Sequence, residues 1–256
     1  MEVGKVFTTL AYSESLATTA AYQKIAAVPD NSIKVAGDSI YISEYNRLVG
    51  GMACIQTNAL SARFTSPSLR RVAPVHIQPI TLALIPGANL AYDIDIAKSI
   101  VLEIDEQLEV EFYGTAVAAA QVSIAVWLSD SEIKPVTGEI FSVMATTTIT
   151  LAAGVFASGS LTFDEDLPVG SYDVVGMDVV SATSVIARLI PIGGKNRPGV
   201  PCRQLSSGVD PKGIFRNGNM GIFCTFPHNN VPNIEVLCSA ATGAQTMNVI
   251  LDLIKK

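Results

Sequence analysis

Three consecutive acids, Asp164-Glu165-Asp166, are the densest set of potential ligands in the chain. Clustered carboxylates suit a hard cation such as calcium. They also precede the Pro168-Val169-Gly170 turn, and the simpler reading is a solvated turn that keeps strand ends in water. The histidines, His76 and His228, stand beside no nucleophile pattern, and no GxSxG, HExxH or phosphate-loop run occurs. Gly193-Gly194-Lys195 lacks the upstream glycine of a phosphate loop and reads as a turn. Cys54, Cys202, Cys224 and Cys238 show no metal-binding spacing and read as buried free thiols made in a reducing compartment. Asp93 and Asp95 alternate with apolar residues, as on the outer face of a strand, and Asp105-Glu106 reads as a hairpin turn. No catalytic, cofactor-binding or metal-ligating residue is assigned, and an enzyme is not expected.

Arginine and glutamate recur in a more informative way. Gly51-Met52 is followed by Ala62-Arg63, and Gly176-Met177 by Ala187-Arg188, at an offset of 177 − 52 = 125. The run Glu111 to Ala116, leading to Gln121, is answered by Glu235 to Ala240, leading to Gln245, at 245 − 121 = 124. Gly4 to Thr8 is answered by Gly138 to Ser142, at 138 − 4 = 134, so the first copy carries extra residues before Gly51. Three matches in one order indicate an internal duplication of whole-domain length. The retained charges, Arg63 with Glu111 and Arg188 with Glu235, either clamp two strands within each copy or mark strand ends at a rim.

The elements that would position these residues are strands. Beta-branched residues dominate, and turn signals recur about every eight to twelve residues. Strands are expected at Val3–Leu10, Ser39–Ile42, Gly51–Thr57, Ala59–Phe64, His76–Leu84, Ile100–Ile104, Leu108–Gly114 and Gln121–Leu128. The second copy offers Ile140–Leu151, Gly159–Phe163, Ser171–Val180, Val185–Ile190, Gly221–Phe226, Asn233–Ser239 and Gln245–Ile254. Ser15–Ala27 and Ala116–Ala120 are alanine-rich enough to be short helices. Loops are expected at Ser66–Pro74, Ile192–Pro201 and Leu205–Met220. The uncharged stretch Ile140–Phe163 is long enough to cross a bilayer, but its Ser, Thr and Gly content favours strand–turn–strand. The charged segment Asp130 to Pro135 divides the chain into domains at 1–130 and 131–256. Trp127 is matched by Leu251, and both are expected in their own domain's core.

Hydrophobic residues make up 49% of the 256 and charged residues only 16%, below the roughly 25% of an average soluble domain. Such a surface faces other protein. The net charge of −6 and the lack of long basic runs argue against direct nucleic-acid binding. The N-terminus shows no secretory pattern.

Two tandem all-β copies, low charge and no catalytic pattern resemble the double jelly-roll major capsid protein family of tailless icosahedral viruses. The resemblance is architectural and spans nearly the whole chain. It implies two jelly rolls side by side and a homotrimer of pseudo-hexagonal outline. Such trimers tile a shell with neighbouring capsomers and penton or minor capsid proteins. It further implies synthesis in a host cytoplasm, residence in the virion and, in some members, an internal membrane beneath the shell. No transmembrane helix is expected in this chain. The competing reading is an extracellular tandem β-sandwich binding module, carbohydrate-binding or adhesin-like.

Overall fold

A computed structural model describes residues 7–18, 20–55, 59–72, 75–77, 88–91, 99–114, 117–181, 183–204, 213–238 and 243–256. The chain is all-β, as expected. Its first half contains β1 (Phe7–Thr18), β2 (Gln23–Lys24), β3 (Val35–Ala36), β4 (Ser39–Tyr41), β5 (Arg47–Ile55) and β6 (Ala59–Thr65). Helix α1 (Pro67–Val72), β7 (Val75–Ile77), β8 (Ala88–Ala91), β9 (Ile100–Val101), β10 (Gln107–Gly114) and β11 (Val117–Ser129) complete it. The second half contains β12 (Phe141–Leu151), β13 (Phe156–Gly159), β14 (Thr162–Phe163), β15 (Ser171–Ser181) and β16 (Ser184–Ile190). It continues with β17 (Gly199–Pro201), β18 (Arg203–Gln204), β19 (Cys224–Pro227), β20 (Asn233–Cys238) and β21 (Gly243–Lys255).

Four sheets result. In the first half one sheet runs β1-β11-β5-β8 with β9 also on β5, and another runs β3-β4-β10-β6-β7 with β2 also on β10. In the second half one runs β14-β12-β21-β15-β18 with β19 also on β15, and the other runs β13-β20-β16-β17. Among the described residues, no strand of one half pairs with a strand of the other. The central pairings repeat: β1-β11-β5 answers β12-β21-β15, and β10-β6-β7 answers β20-β16-β17. Among the described residues the β3–β4 hairpin has no answering hairpin, and it accounts for extra length in the first half. One edge also differs: β8 joins β5 antiparallel, whereas β18 joins β15 parallel.

Register corrects part of the internal alignment. Arg63 lies opposite Glu111 and Arg188 opposite Glu235, as the sequence match requires. In β11, however, Val122, Ile124, Val126 and Leu128 face the first half's core, whereas β21 turns Met247, Val249, Leu251 and Leu253 inward. The structural offset there is 251 − 126 = 125, one more than the matched 124. Leu251 therefore corresponds to Val126, Trp127 to Asp252, and Gln121 to Thr246. Likewise Met52 lies opposite Ala125 while Met177 lies opposite Leu251, so Met177 answers Gly51 and not Met52. A one-residue slip reverses the face of every side chain in a strand.

Other expectations change for local reasons. Ser15–Ala27 is not helical: β1 continues to Thr18 and β2 follows. Of Ala116–Ala120, residues 117–120 lie in β11, where pairing with β1 overrides alanine's helix propensity, and Ala116 lies outside the described residues. Pro67–Val72 is a helical turn inside an expected loop, with the Ser66 hydroxyl accepting from the Leu69 N–H at its start. The stretch 140–163 forms β12, β13 and β14. Among the described residues no helix is long and apolar enough to cross a membrane. Asp93, Asp95 and residues 78–84 of the expected His76–Leu84 strand lie outside the described residues.

The core explains two glycines. A Cβ at Gly51 would stand 2.3 Å from the Phe64 ring, so this strand can approach β6 only without a side chain. Gly218 has φ +77° and its missing Cβ would meet the Val136 carbonyl at 2.1 Å. That approach lets Val136 N–H donate to Gly218 O at 2.9 Å and anchors the 213–223 segment. This segment lies along β15, with Gly218 N–H donating to Val175 O and Phe223 N–H to Val174 O. It covers the side of β15 that would otherwise meet solvent, and eight of the eleven residues of β15 are buried.

Candidate functional site

The most built feature is the junction where the outer face of the β1-β11-β5 sheet meets the second half. In β1, Leu10 and Tyr12 point into the first half's core, so Phe7, Thr9 and Ala11 point the other way. All three are nonetheless buried, because the second half covers them. The Phe7 ring meets Phe223 edge-on at 4.9 Å. Trp127, also on this face, lies 5.3 Å from Phe215 and donates its indole N–H to Gly199 O at 2.9 Å. Trp127 is thus buried between the halves and not in its own half's core. The one-residue slip in β11 turns it outward.

Backbone polarity at the β1 edge is satisfied across the junction. Thr9 N–H donates to Arg197 O at 2.7 Å, and the Thr9 hydroxyl donates to Gly199 O at 3.2 Å. Arg197 N–H donates to the Thr8 hydroxyl at 3.0 Å. Arg188 from β16 donates to Thr9 O at 3.0 Å. An edge strand with open N–H and C=O groups invites pairing, and here that capacity is used internally.

Arg188 is the hub. Its guanidinium bonds Glu235 on β20 at 2.8 Å, pairs with Asp30 of the first half, and sits 3.6 Å from the Phe156 ring centroid. The retained charges therefore do clamp neighbouring strands. Burial pushes the Asp30 carboxyl up, but the Arg188 charge and hydrogen bonds from Ser32 and Arg188 outweigh it and hold Asp30 below the usual range. A cleft of about 150 Å³ opens beside this cluster, lined by Pro29, Asn31, Val155 and Arg197. In the first half, Arg63 bonds Glu111 at 2.6 Å and lies 3.8 Å from the Tyr22 ring centroid. Tyr22 and Phe156 hold equivalent places, two residues before the positions opposite Glu111 and Glu235. The arginine–glutamate–aromatic trio is thus present in both halves, although sequence matching found only its charged members.

A second cluster anchors Phe215. Asp252 accepts two bonds from Arg216 at 2.7 Å, one from Ser142 Oγ at 2.6 Å and one from Asn217 N–H at 2.8 Å. Burial raises its pKa, yet these bonds and the Arg216 charge hold the carboxyl below the ordinary range. A depressed native pKa stabilises the fold above the unfolded value, near 3.9, and that contribution is lost as pH falls through the native value. Stability should therefore be level from neutral pH down to about 5 and fall below about 4. Asp252→Asn should shallow that fall in urea titrations made across this range. An unchanged slope would count against Asp252 as an acid-sensitive anchor.

Asp164, Glu165 and Asp166 form an exposed turn after β14. Gly193-Gly194-Lys195 is a turn, with Gly193 at φ +70°. His76 lies opposite Arg63 in β7, and His228 follows β19, where its N–H donates to Gly170 O at 3.0 Å. Cys202, Cys224 and Cys238 are buried thiols, and burial pushes the Cys224 thiol up to about 12, which makes it unreactive. The Cys54 side chain lies outside the described residues. No protein-family model matches the chain, and no curated protein matches it. What the junction can do chemically is hold two β units rigidly side by side through buried ion pairs and edge hydrogen bonds.

Proposed function

We propose that the chain is a viral structural protein, a major capsid protein made of two jelly rolls that assembles as a pseudo-hexagonal trimer. The carrying observation is the strand order. Each half has eight principal strands when β3–β4 and the second edge pieces are set aside. They fall into sheets ordered 1-8-3-6 and 2-7-4-5: β1-β11-β5-β9 with β2-β10-β6-β7, and β12-β21-β15-β19 with β13-β20-β16-β17. Two facing sheets in this order are the double Greek key of a jelly roll. The rigid junction supports the reading, since a shell unit needs two barrels held at one fixed angle. The sparse charge supports it too, because shell subunits present much of their surface to other copies. The lone tryptophan, buried at the junction, lends nothing to a sugar-binding platform.

Light scattering on the purified protein, followed by negative-stain imaging, tests the reading. The expected result is a trimer, or particles built from trimers, at micromolar concentration. A monodisperse monomer across that range would overturn it.

A further inference from the structure

The contact that joins the halves has two equivalent surfaces left uncovered. The first is the start of β12. Register places Ser142 where Thr9 stands, since Ser142 lies opposite Asp252 as Thr9 lies opposite Trp127 (142 − 9 = 133). Met144 then answers Ala11 (144 − 11 = 133). The edge is used alike: Ala11 O accepts from Val28 N–H, and Met144 O accepts from Asp164 N–H. Alternation along an antiparallel strand then turns the Ser142 N–H and C=O toward the open edge, as Thr9's are turned. Thr9's groups are taken by Arg197 and Arg188. Ser142's meet no partner among the described residues. Burial follows the same contrast: Thr9 and Ala11 are 0% and 2% exposed, whereas Ser142 is exposed and Met144 is 46% exposed.

The second uncovered surface is the first half's trio. The Arg188 side chain, capped by Asp30, is 3% exposed, while the Arg63 side chain is 28% exposed and has no such cap among the described residues. The missing cap has a counterpart in the chain. Val28 and Asp164 hold equivalent edge bonds (164 − 28 = 136), so Asp166 stands where Asp30 stands (166 − 30 = 136). The acidic turn is therefore the second half's version of the Asp30 loop. It cannot reach Arg63 of its own chain as Asp30 reaches Arg188, because the junction already fixes the two halves.

We propose that the β12 edge and the Asp164–Asp166 turn of one copy dock on the Tyr22–Arg63–Glu111 trio of a second copy, repeating between chains the contact that joins the halves within one. This rests on the assembly reading and names its interface. The contact is heterologous, donor edge to receiving trio, and closes into a ring when successive rotations sum to a full turn. Opposite charges meet at its centre, which favours this register over others.

Light scattering on three proteins tests it. The wild type should be an oligomer. Asp164→Lys with Asp166→Lys alters only an exposed turn, should keep the native circular dichroism, and should fall to the mass of one chain. Adding Arg63→Glu with Glu111→Lys keeps an ion pair in the first half, reverses the receiving charge, and should restore the oligomer. As an independent reading, Arg63→Lys treated with a carbodiimide should form an amide with the Asp164–Asp166 peptide of another, isotope-labelled copy. The carbodiimide takes up the water lost. If the turn variant keeps the wild-type mass and no such crosslink forms, the contact is overturned while assembly stands. If the wild type is itself a monomer, both readings fall.

Discussion

Replacing Arg188 with Met is expected to destabilise the fold by about 3–5 kcal/mol, the usual effect of removing one partner from a buried ion cluster. The loss comes from what remains. Asp30 and Glu235 both face Arg188, whose side chain is 3% exposed, and Arg197 approaches Glu235 only to 3.8 Å. Among the described residues Asp30 is then left with no cation in ion-pair reach. In the dissociated chain, Arg63→Met removes the matching pair where water reaches it and should cost about 1 kcal/mol or less. Urea denaturation of the two variants measures the difference. Adding Asp30→Asn to Arg188→Met should recover part of the loss, because the orphaned charge goes with it. Equal losses at 63 and 188 would mean that burial by the other half does not set the strength of the cluster.

Trp127→Ala should cost a similar amount, about 3–5 kcal/mol, through the cavity left against Phe215 and the second half's core. Trp127→Phe should cost far less, about 1 kcal/mol, because the ring volume is largely kept and one N–H···O bond goes. The Gly199 carbonyl would still accept from the Thr9 hydroxyl. Because the chain has a single tryptophan, its fluorescence reports this junction directly. The native emission should be blue-shifted and shielded from iodide, and should shift red in the same transition that melts the β signal. A red shift well before that transition would show the halves parting while each stays folded.

The sequence made the strands and the repeat readable, because β-branched runs and turn residues act locally. Arg63 with Glu111 and Arg188 with Glu235 were readable because a cross-strand pair keeps its spacing when both strands are kept. The β1, β5 and β11 alignments were not readable to the residue. There the matches rested on a few letters each, such as Gly-Met and Ala-Gln, and one added residue at a turn moves the register without changing composition. That slip hid Trp127's role: matched with Leu251 it looked like core, whereas its place corresponds to Asp252. Asp30, Tyr22 and Phe156 carried no signal, since a turn acid and single aromatics gain meaning only once three strands lie side by side. The Asp164–Asp166 turn was visible as a cluster, but its relation to Asp30 depends on two edge hydrogen bonds that no linear pattern encodes.

The junction also has a temporal side. The face carrying Phe7, Thr9 and Trp127 is closed by Arg197, Gly199, Phe215 and Phe223, which reach the ribosome exit long after strand β11 is complete. At about 5–20 residues per second, the newly made first half waits roughly 5–20 s with an apolar sheet face and an open edge unprotected. During that interval a neighbouring nascent chain can occupy the place meant for the second half. Slower elongation beyond residue 130 should therefore lower the yield of soluble protein, and a chaperone that shields sheet faces should restore it.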